Sequence, residues 1–210
     1  MGVRCFMVTD SGKYRLSLRR YHSKDTCPVR PGAYHNAESP TILVIDGAPF
    51  RTPENYTDLA AMEVYAPPRT DPRWPTKCAE CSYKFTADDP WQLFSTSIYV
   101  DDHGAEYSIR KPVPGMMWDA WWFGDWARGP DGKCLVVCCP DGTEWMIDGQ
   151  AKNCTKKADV GPFGQAHRCW IRHGTPPMIT VDKNGLTCSA GAGSIAVPGY
   201  HGFLRNGQFT

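Results

Sequence analysis

Residues 169–195 read CWIRHGTPPMITVDKNGLTCSAGAGSI, a segment with two short strand-like runs, two cysteines and a histidine. A linker from Gly174 to Pro177 separates the runs, and an Asn-Gly pair follows the second one. Asn-Gly is a favoured two-residue turn because both central residues need positive φ. The segment therefore predicts two antiparallel strands, which bring Cys169 and Cys188 close together at one edge of a sheet.

The rest of the chain has a similar composition, with 20 glycines and 18 prolines among its 210 residues. Turn dipeptides separate short apolar runs, and helix-like patterns are confined to residues 53–66 and 114–127. We therefore predict a mainly β fold, a β-rich α+β arrangement of antiparallel hairpins and small sheets with a zinc knuckle and one or two short helices. The predicted turns are Ser11-Gly12, Asp46-Gly47, His103-Gly104 and Asp141-Gly142.

The second helical candidate carries four tryptophans, at positions 118, 121, 122 and 126. Helical spacing would place Trp118, Trp122 and Trp126 on one face. Large aromatic side chains usually belong to the core, so we predict a core cluster here. A platform that stacks carbohydrates or bases is the alternative.

A proline-rich stretch at residues 65–77 is the best linker candidate, because proline denies the backbone both helix and ladder hydrogen bonds. No internal repeat is found. We divide the sequence into an N-terminal β-rich region (1–70), a zinc-knuckle and Trp-rich region (71–127) and a C-terminal β domain (128–210).

The charge and the cysteine content limit the classes of partner and compartment. A net charge of +1 lacks the strong positive charge of typical nucleic-acid-binding modules, so a nucleic-acid partner is not expected. No apolar run approaches the roughly 20 residues that span a bilayer, so no membrane association is expected. The start MGVRCFMVTDSGKYRL lacks an apolar region and a cleavage site, so we expect no secretory signal. In a reducing compartment, the ten cysteines are expected to be metal ligands or free thiols.

The clearest metal-binding motif is PTKCAECSYKF, in which Cys78 and Cys81 form a C-x-x-C pair ahead of an aromatic run. A tight turn with this spacing lets two thiolates bind one tetrahedral Zn²⁺, as in a zinc knuckle. The Pro/Gly loop DTCPVRPGAYHNA adds Cys27 and His35, and these four residues are the predicted zinc ligands. The cysteines of CLVVCC (134–139) lie in an apolar strand, where cysteine behaves as a small buried hydrophobe. A redox-active C-x-x-C is an alternative that calls for a helix after the motif.

A second set of cysteines and histidines lies between residues 154 and 188. Three interpretations are open: a second zinc site, a buried cysteine pair with surface histidines, and catalysis with Cys154 as nucleophile and His167 or His173 as base. A strand over HRCWIRHG would direct His167 and Cys169 to the same side. The ligands of the second zinc site would be Cys154, His167, Cys169 and Cys188.

The small-residue tract CSAGAGSI lacks the Gly-Lys-Ser/Thr ending of a phosphate-binding P-loop. A tight turn or close backbone packing is the prediction for it. Ser189 and Ser194 become nucleophile or oxyanion-site candidates only where a histidine lies close to them.

Three stretches, WPTKCAECSYKFTADDPWQ, PGMMWDAWW and HRCWIRHGTPPMITVDKNGLTCSAGAGSI, resemble an uncharacterised protein family encoded by tailed bacteriophages and prophages. The resemblance covers most of the chain from about residue 70 onward and implies no particular activity. The C-terminal third is more distantly similar to a larger phage and bacterial domain family of unknown function, some members of which have been proposed as peptidases. The sequence departs from that pattern at NCTKK (153–157) and at Trp170, which counts against a peptidase.

Two hypotheses about function follow from the motifs and the resemblance. The first is a phage-encoded, zinc-stabilised, non-enzymatic protein, either a virion component or an accessory module that binds other phage or host proteins. Its expected location is the host cytoplasm or the virion. The second is a cysteine- or serine-dependent hydrolase or peptidase that uses Cys154 or a C-terminal serine with His167 or His173.

Overall fold

A computed structural model describes residues 2–47, 63–124, 128–156, 167–184, 188, 190 and 193–210. Short strands dominate these residues, and a 3-10 helix spans Trp121–Phe123, so the predicted mainly β fold is confirmed. The strands are β1 (Phe6–Met7), β2 (Thr9–Thr26), β3 (Tyr34–Glu38), β4 (Leu43–Asp46), β5 (Trp91–Val100), β6 (Glu106–Tyr107), β7 (Met116–Asp119), β8 (Leu135–Cys138), β9 (Glu144–Met146), β10 (Ile171–Thr175), β11 (Met178–Asp182), β12 (Ile195–Val197), β13 (Tyr200–Gly202), β14 (Leu204–Arg205) and β15 (Gln208–Phe209).

The chain divides into two compact units. One unit is Asp10–Ile98, and we call it the 10–98 unit. The other combines Met1–Thr9 with Tyr99–Thr210, and we call it the 99–210 unit. The division of the sequence into three regions at residues 71 and 128 stays a prediction.

The 10–98 unit is organised by the long strand β2. Strands β3 and β4 pair with it antiparallel, and β5 is its other neighbour in the sheet. Leu16 and Leu18 are fully buried and pack with Trp74 and Leu93. Because strand side chains alternate between the two faces, Ser17 and Arg19 of β2 point away from this core.

The predicted hairpin at Ser11-Gly12 is wrong, since β2 runs through this dipeptide without reversing. The Asp10 carboxylate accepts the Gly12 N–H at 2.9 Å, and Gly12 has a φ of +74°. The dipeptide therefore bends the strand locally. Strand β4 continues the pairing to this point, because the Gly47 N–H donates to the Gly12 carbonyl at 2.9 Å.

The 99–210 unit contains the sheets β1-β7-β8-β9 and β10-β11-β14-β15 and the hairpin β12-β13. All their strand pairs are antiparallel except that of β1 with β7. The segment before β1 pairs with the last strand, because the Val3 carbonyl accepts the Phe209 N–H at 2.9 Å. The core includes the buried residues Met117, Leu135, Val137, Ile147, Ile179, Val181, Leu204 and Phe209.

The predicted helix at residues 114–127 is wrong for the residues that the structure describes, which form β7 and the 3-10 helix. Strand β7 lies between β1 and β8, and Met116, Met117 and Trp118 are all buried. Burial on both faces removes the alternation that would have identified a strand. Trp122 is 44% exposed and does not share a helical face with Trp118, and Trp126 lies outside the described residues. Most of the other predicted helix, residues 53–66, also lies outside them.

Three predicted hairpins are confirmed. Strands β5 and β6 turn at His103-Gly104, and β8 and β9 turn at Asp141-Gly142. Strands β10 and β11 pair antiparallel from Ile171 opposite Asp182 to Thr175 opposite Met178. This last turn is shorter than predicted, because β10 continues through Gly174 to Thr175. Strand β10 begins at Ile171.

Among the residues that the structure describes, no helix has both the length and the apolar character that a membrane span requires.

Candidate metal centres

Two groups of four cysteine and histidine side chains converge in the described part of the chain. In each group the four candidate ligand atoms lie within 4.8 Å of one another. Tetrahedral zinc with three sulfur ligands and one nitrogen ligand places its ligand atoms about 3.5–3.8 Å apart. Each group can therefore hold a metal ion with modest adjustment. The N-terminal cluster is Cys27, His35, Cys78 and Cys81, and the C-terminal cluster is Cys154, His167, Cys169 and Cys188.

The β2–β3 connection positions two members of the N-terminal cluster. Cys27 follows β2 directly, and its N–H donates to the Ala33 carbonyl at 2.8 Å, which closes a tight loop. The chain then enters β3, where His35 lies opposite His22 of β2. The hairpin therefore presents a thiol and an imidazole from the same end of the sheet.

The C-x-x-C turn supplies the other two members. The Cys78 N–H donates to the Tyr83 carbonyl at 2.7 Å, and Ser82 adopts a left-handed φ of 63° within this turn. The Ala79 N–H donates to the Asn36 carbonyl at 3.0 Å, which fastens the turn to β3. His35 Nδ1 and Cys81 Sγ consequently lie 3.1 Å apart.

Peptide groups around the C-x-x-C turn favour thiolate. Burial raises the pKa of the Cys78 thiol, but hydrogen bonds involving Cys81, Glu80 and Asn36 outweigh burial and lower this pKa to about 6. The Tyr83 peptide group lowers the pKa of Cys81, whereas burial and the neighbouring thiols together raise it above its ordinary value. Neighbouring thiols thus resist joint ionisation, and a bound cation would relieve that repulsion.

A set of polar and aromatic contacts holds the imidazole of His35. The Tyr83 ring stacks on the His35 ring with centroids 4.4 Å apart, and its hydroxyl lies 3.1 Å from Nδ1 of His22. The same nitrogen of His22 lies 2.6 Å from a carboxylate oxygen of the buried Asp89. Contacts of this kind around a ligand limit its rotation and orient it toward a metal.

The C-terminal cluster is assembled from three separate segments. Cys154 lies in a turn after β9, where its N–H donates to the Ala151 carbonyl at 3.1 Å. The Ala151 N–H donates to Cys169 Sγ at 3.2 Å, and the Lys156 N–H donates to Cys154 Sγ at 3.3 Å. Donation of peptide N–H groups to sulfur stabilises thiolate, the form of cysteine that binds metals.

The predicted proximity of Cys169 and Cys188 is confirmed, since their sulfur atoms lie 3.5 Å apart. This separation is well above the roughly 2.05 Å of a disulfide, and both residues are free cysteines. Nε2 of His167 is buried and has no hydrogen-bond partner among the described residues. A buried polar atom normally has a partner, so an imidazole nitrogen left this way suits a metal ligand.

His167 and Cys169 meet in the C-terminal cluster, but not on one face of a strand as predicted. Both precede β10, which begins at Ile171, so no strand face positions them. The Cys169 N–H instead donates to the Gly149 carbonyl at 3.4 Å, which joins this segment to the turn that carries Cys154.

The thiols of the C-terminal cluster also differ in acidity. Burial raises the pKa of Cys169 to about 12. Burial also raises the pKa of Cys188, but hydrogen bonds involving the Ala190 peptide group and the side chains of the other three cluster members lower it to about 6. The Lys183 ammonium, 3.9 Å from Cys188 Sγ, adds a positive charge beside this cluster.

The remaining four cysteines are buried thiols, as predicted for the three of CLVVCC, and Cys5 is the fourth. Burial raises the pKa of Cys5 and of Cys139 to about 12, and that of Cys134 to about 11. Cys138 is fully buried, and burial raises its pKa as well. These four side chains belong to the hydrophobic core of the 99–210 unit.

The structure also places the candidate catalytic residues. Cys154 and His167 belong to the C-terminal cluster, whereas His173 Nε2 lies 3.0 Å from a carboxylate oxygen of Asp182. Ser189 lies outside the described residues. Ser194 Oγ lies 3.0 Å from Nε2 of His201, a histidine that was not among the predicted site residues. The sequence feature that could have identified His201 is the Pro198-Gly199 turn in SIAVPGYHG. This turn joins β12 and β13 and brings His201 back toward Ser194.

No protein-family model matches the chain, and no curated protein sequence or solved structure is significantly similar to it.

Proposed function

We propose that both clusters bind structural zinc and that the protein is a phage-encoded, non-enzymatic virion component or accessory interaction module. The convergence of four ligands in each of two clusters carries this proposal. Three cysteines and one histidine form a soft, tetrahedral ligand set typical of structural zinc. Four protein ligands also leave no position open for a substrate, unlike catalytic zinc sites.

The burial of the N-terminal cluster supports a stabilising role for its metal. Cys27, His35 and Cys78 are buried within the 10–98 unit, so a metal would link its two ligand loops inside the fold. Structural zinc contributes directly to folding free energy in such small domains. We propose that zinc at the N-terminal cluster stabilises the two loops that carry its ligands.

The biological context of the proposal comes from the sequence. The phage origin is supported by the resemblance of the chain from about residue 70 onward to proteins of tailed phages and prophages. Free cysteines suit a reducing compartment, so we propose the host cytoplasm or the virion as the location. The partners we propose are other phage or host proteins.

Metal content measured by native mass spectrometry tests the proposal. We expect two zinc ions per chain in protein purified without added chelator, one for each cluster. Cys78→Ser should lose one ion, and Cys134→Ser, which replaces a buried core thiol, should keep both. Retention of both ions by Cys78→Ser, or zinc-free protein from zinc-supplemented cells, would contradict the proposal.

A second candidate function is hydrolysis by Ser194 with His201 as general base. The contact of 3.0 Å between Ser194 Oγ and His201 Nε2 favours it, because a serine nucleophile needs a base within hydrogen-bond reach. Both residues line a cavity of about 830 Å³ that also includes Trp145 and Trp170. Covalent labelling by a fluorophosphonate that disappears in Ser194→Ala would favour the hydrolase, and absence of labelling would favour the non-enzymatic protein.

A further inference from the structure

The 10–98 unit presents a polar and aromatic surface on the face of its sheet opposite Leu16 and Leu18. Arg19 and Tyr21 project from β2 on this face, because they alternate with the buried leucines. Tyr21 lies directly opposite Asn36 of β3, so the two side chains share the face. A pocket of about 490 Å³ is lined there by Arg19, Tyr21, Arg30, Tyr34, Asn36 and Gln92, and we call these six residues the β2–β3 face.

Planar groups predominate on this face. Tyr34 is 55% exposed although it is a large aromatic residue, and Tyr21 is half-buried. The Arg19 guanidinium lies 4.5 Å from the centroid of the Phe94 ring, in a cation–π arrangement. Such exposed rings and stacked guanidinium groups are the surfaces on which unpaired bases stack.

The local charge of the β2–β3 face differs from that of the whole chain. Arg19 and Arg30 are both cationic, and none of the six residues is acidic. Arg19 pairs with the neighbouring Glu38 at 3.1 Å, which offsets its charge, so Arg30 supplies the positive charge of this face. Although the net charge of the chain is only +1, Arg30 provides a local contact for phosphate, and the Gln92 amide lies beside the tyrosines, where it can reach a base edge.

We infer that the β2–β3 face binds single-stranded nucleic acid. Tyr21 and Tyr34 would stack successive bases, and Arg30 would contact a phosphate. The open, shallow site suits a flexible strand whose bases are splayed apart, because bases in a duplex are stacked on one another and offer no face to a tyrosine. The inference goes beyond the proposed function and uses no metal ligand, but Arg30 and Tyr34 lie between the ligands Cys27 and His35, so binding is measured on protein whose metal content is known.

Fluorescence anisotropy with labelled oligothymidylate and oligouridylate of about 15 nucleotides tests this inference on the full chain. We expect saturable binding that Tyr34→Ala and Arg30→Ala each weaken about tenfold. Arg30→Ala should also reduce the salt dependence of binding by about one phosphate contact, whereas Tyr34→Ala should leave it unchanged. Tyr34→Phe, which keeps the ring, should bind like the unchanged protein.

Lys13→Ala is the matched control, because Lys13 is an exposed cation of β2 that does not line the pocket. It should bind within about twofold of the unchanged protein. Any of three results overturns the inference. These are no binding to either oligonucleotide, a loss of affinity in Lys13→Ala equal to that in Arg30→Ala, or heparin binding as tight as oligonucleotide binding together with no effect of Tyr34→Ala. Circular dichroism of every variant separates a lost contact from a lost fold.

Discussion

The two clusters have the same ligand types but are assembled in different ways. In the N-terminal cluster the ligands form two pairs that are close in sequence, Cys27 with His35 and Cys78 with Cys81. In the C-terminal cluster only His167 and Cys169 are near neighbours, and the hairpin of β10 and β11 lies between Cys169 and Cys188. A metal at the first cluster would join two short loops that are separated by residues 36–77, whereas a metal at the second would join three segments that are separated by the shorter stretches 155–166 and 170–187.

Their surroundings differ as well. The N-terminal cluster lies beside a network of rings and carboxylate, from Tyr83 through His22 to Asp89. The C-terminal cluster borders the hydrophobic core, since Cys154 and Cys169 pack with Trp170 and Ile179, and it has the ammonium of Lys183 nearby. Loss of the second metal should therefore disturb a core, and loss of the first should mainly release loops.

Removal of both metals should produce the largest effect. Chelation at neutral pH should abolish hydrogen-exchange protection in the ligand segments around residues 27–36, 77–84, 149–156 and 167–170, because structural zinc contributes folding free energy. In the 99–210 unit the loss of hydrogen-exchange protection should extend to the hairpin of β10 and β11, because Ile179 and Val181 of β11 lie in the core. Unchanged exchange after complete metal removal would contradict a structural role for both clusters.

Single-ligand variants should separate the clusters. Cys169→Ser should lower the melting temperature of the 99–210 unit by about 10 °C, since it removes a metal ligand at a fully buried position. Cys78→Ser should remove one metal and leave the C-terminal cluster loaded, because the two clusters share no ligand. Differential scanning calorimetry with parallel metal analysis measures both effects. Simultaneous loss of both metals in either variant would show that the clusters are coupled.

Cysteine labelling should give a smaller but more specific difference. After chelation, iodoacetamide near pH 7 should modify cluster cysteines such as Cys78 and Cys188 before the core cysteines, because loss of the metal exposes the thiols of the ligand segments. Cys5 and Cys139, with pKa values of about 12, should stay protonated and unreactive. Peptide mapping by mass spectrometry reads out the order. Rapid labelling of Cys154 alone in the metal-loaded protein would instead favour a cysteine hydrolase.

Lys183→Met should have the smallest effect. The ammonium lies 3.9 Å from Cys188 Sγ, and a cluster of three thiolates, one imidazole and Zn²⁺ carries a net charge of −1. Loss of the neighbouring positive charge should weaken metal binding at the C-terminal cluster severalfold, or by about 1 kcal/mol. Competition with a chromogenic chelator measures this change, and the N-terminal cluster of the same variant is the internal control.

The sequence contained enough information to select all eight residues of the two clusters, but not for the same reasons. The C-x-x-C spacing and the Pro/Gly loop are local signals, and the N-terminal cluster follows from them. For the C-terminal cluster, the β10–β11 hairpin was predictable from its turns, whereas the contact of Cys169 with the Cys154 turn depends on a backbone hydrogen bond to Gly149. Such tertiary contacts leave no periodic pattern in a sequence.

The errors in the prediction share a physical origin. Ser11-Gly12 has hairpin chemistry, but β2 continues because β4 and β5 offer it partners on both sides. MMWD has no polar alternation, because β7 is buried on both faces. In both places long-range pairing overrides the local preference of the residues. His201 was missed for a related reason, since its proximity to Ser194 depends on how a short hairpin closes.

The pairing of the segment before β1 with β15 has a consequence for the order of folding. Val3 and Cys5 bond to Phe209 and Gly207, so this contact forms only after nearly all the intervening residues have been synthesised. The 10–98 unit ends at Ile98, so the pairing of β2 with β3 and β4 and the metal of the N-terminal cluster can form while the ribosome is still extending the chain. During that time β1 and the segment before it have no partner, because β7 and β15 follow later in the chain. Contacts between such distant parts of a chain form slowly. Synthesis would thus complete the N-terminal cluster first and close the 99–210 unit last.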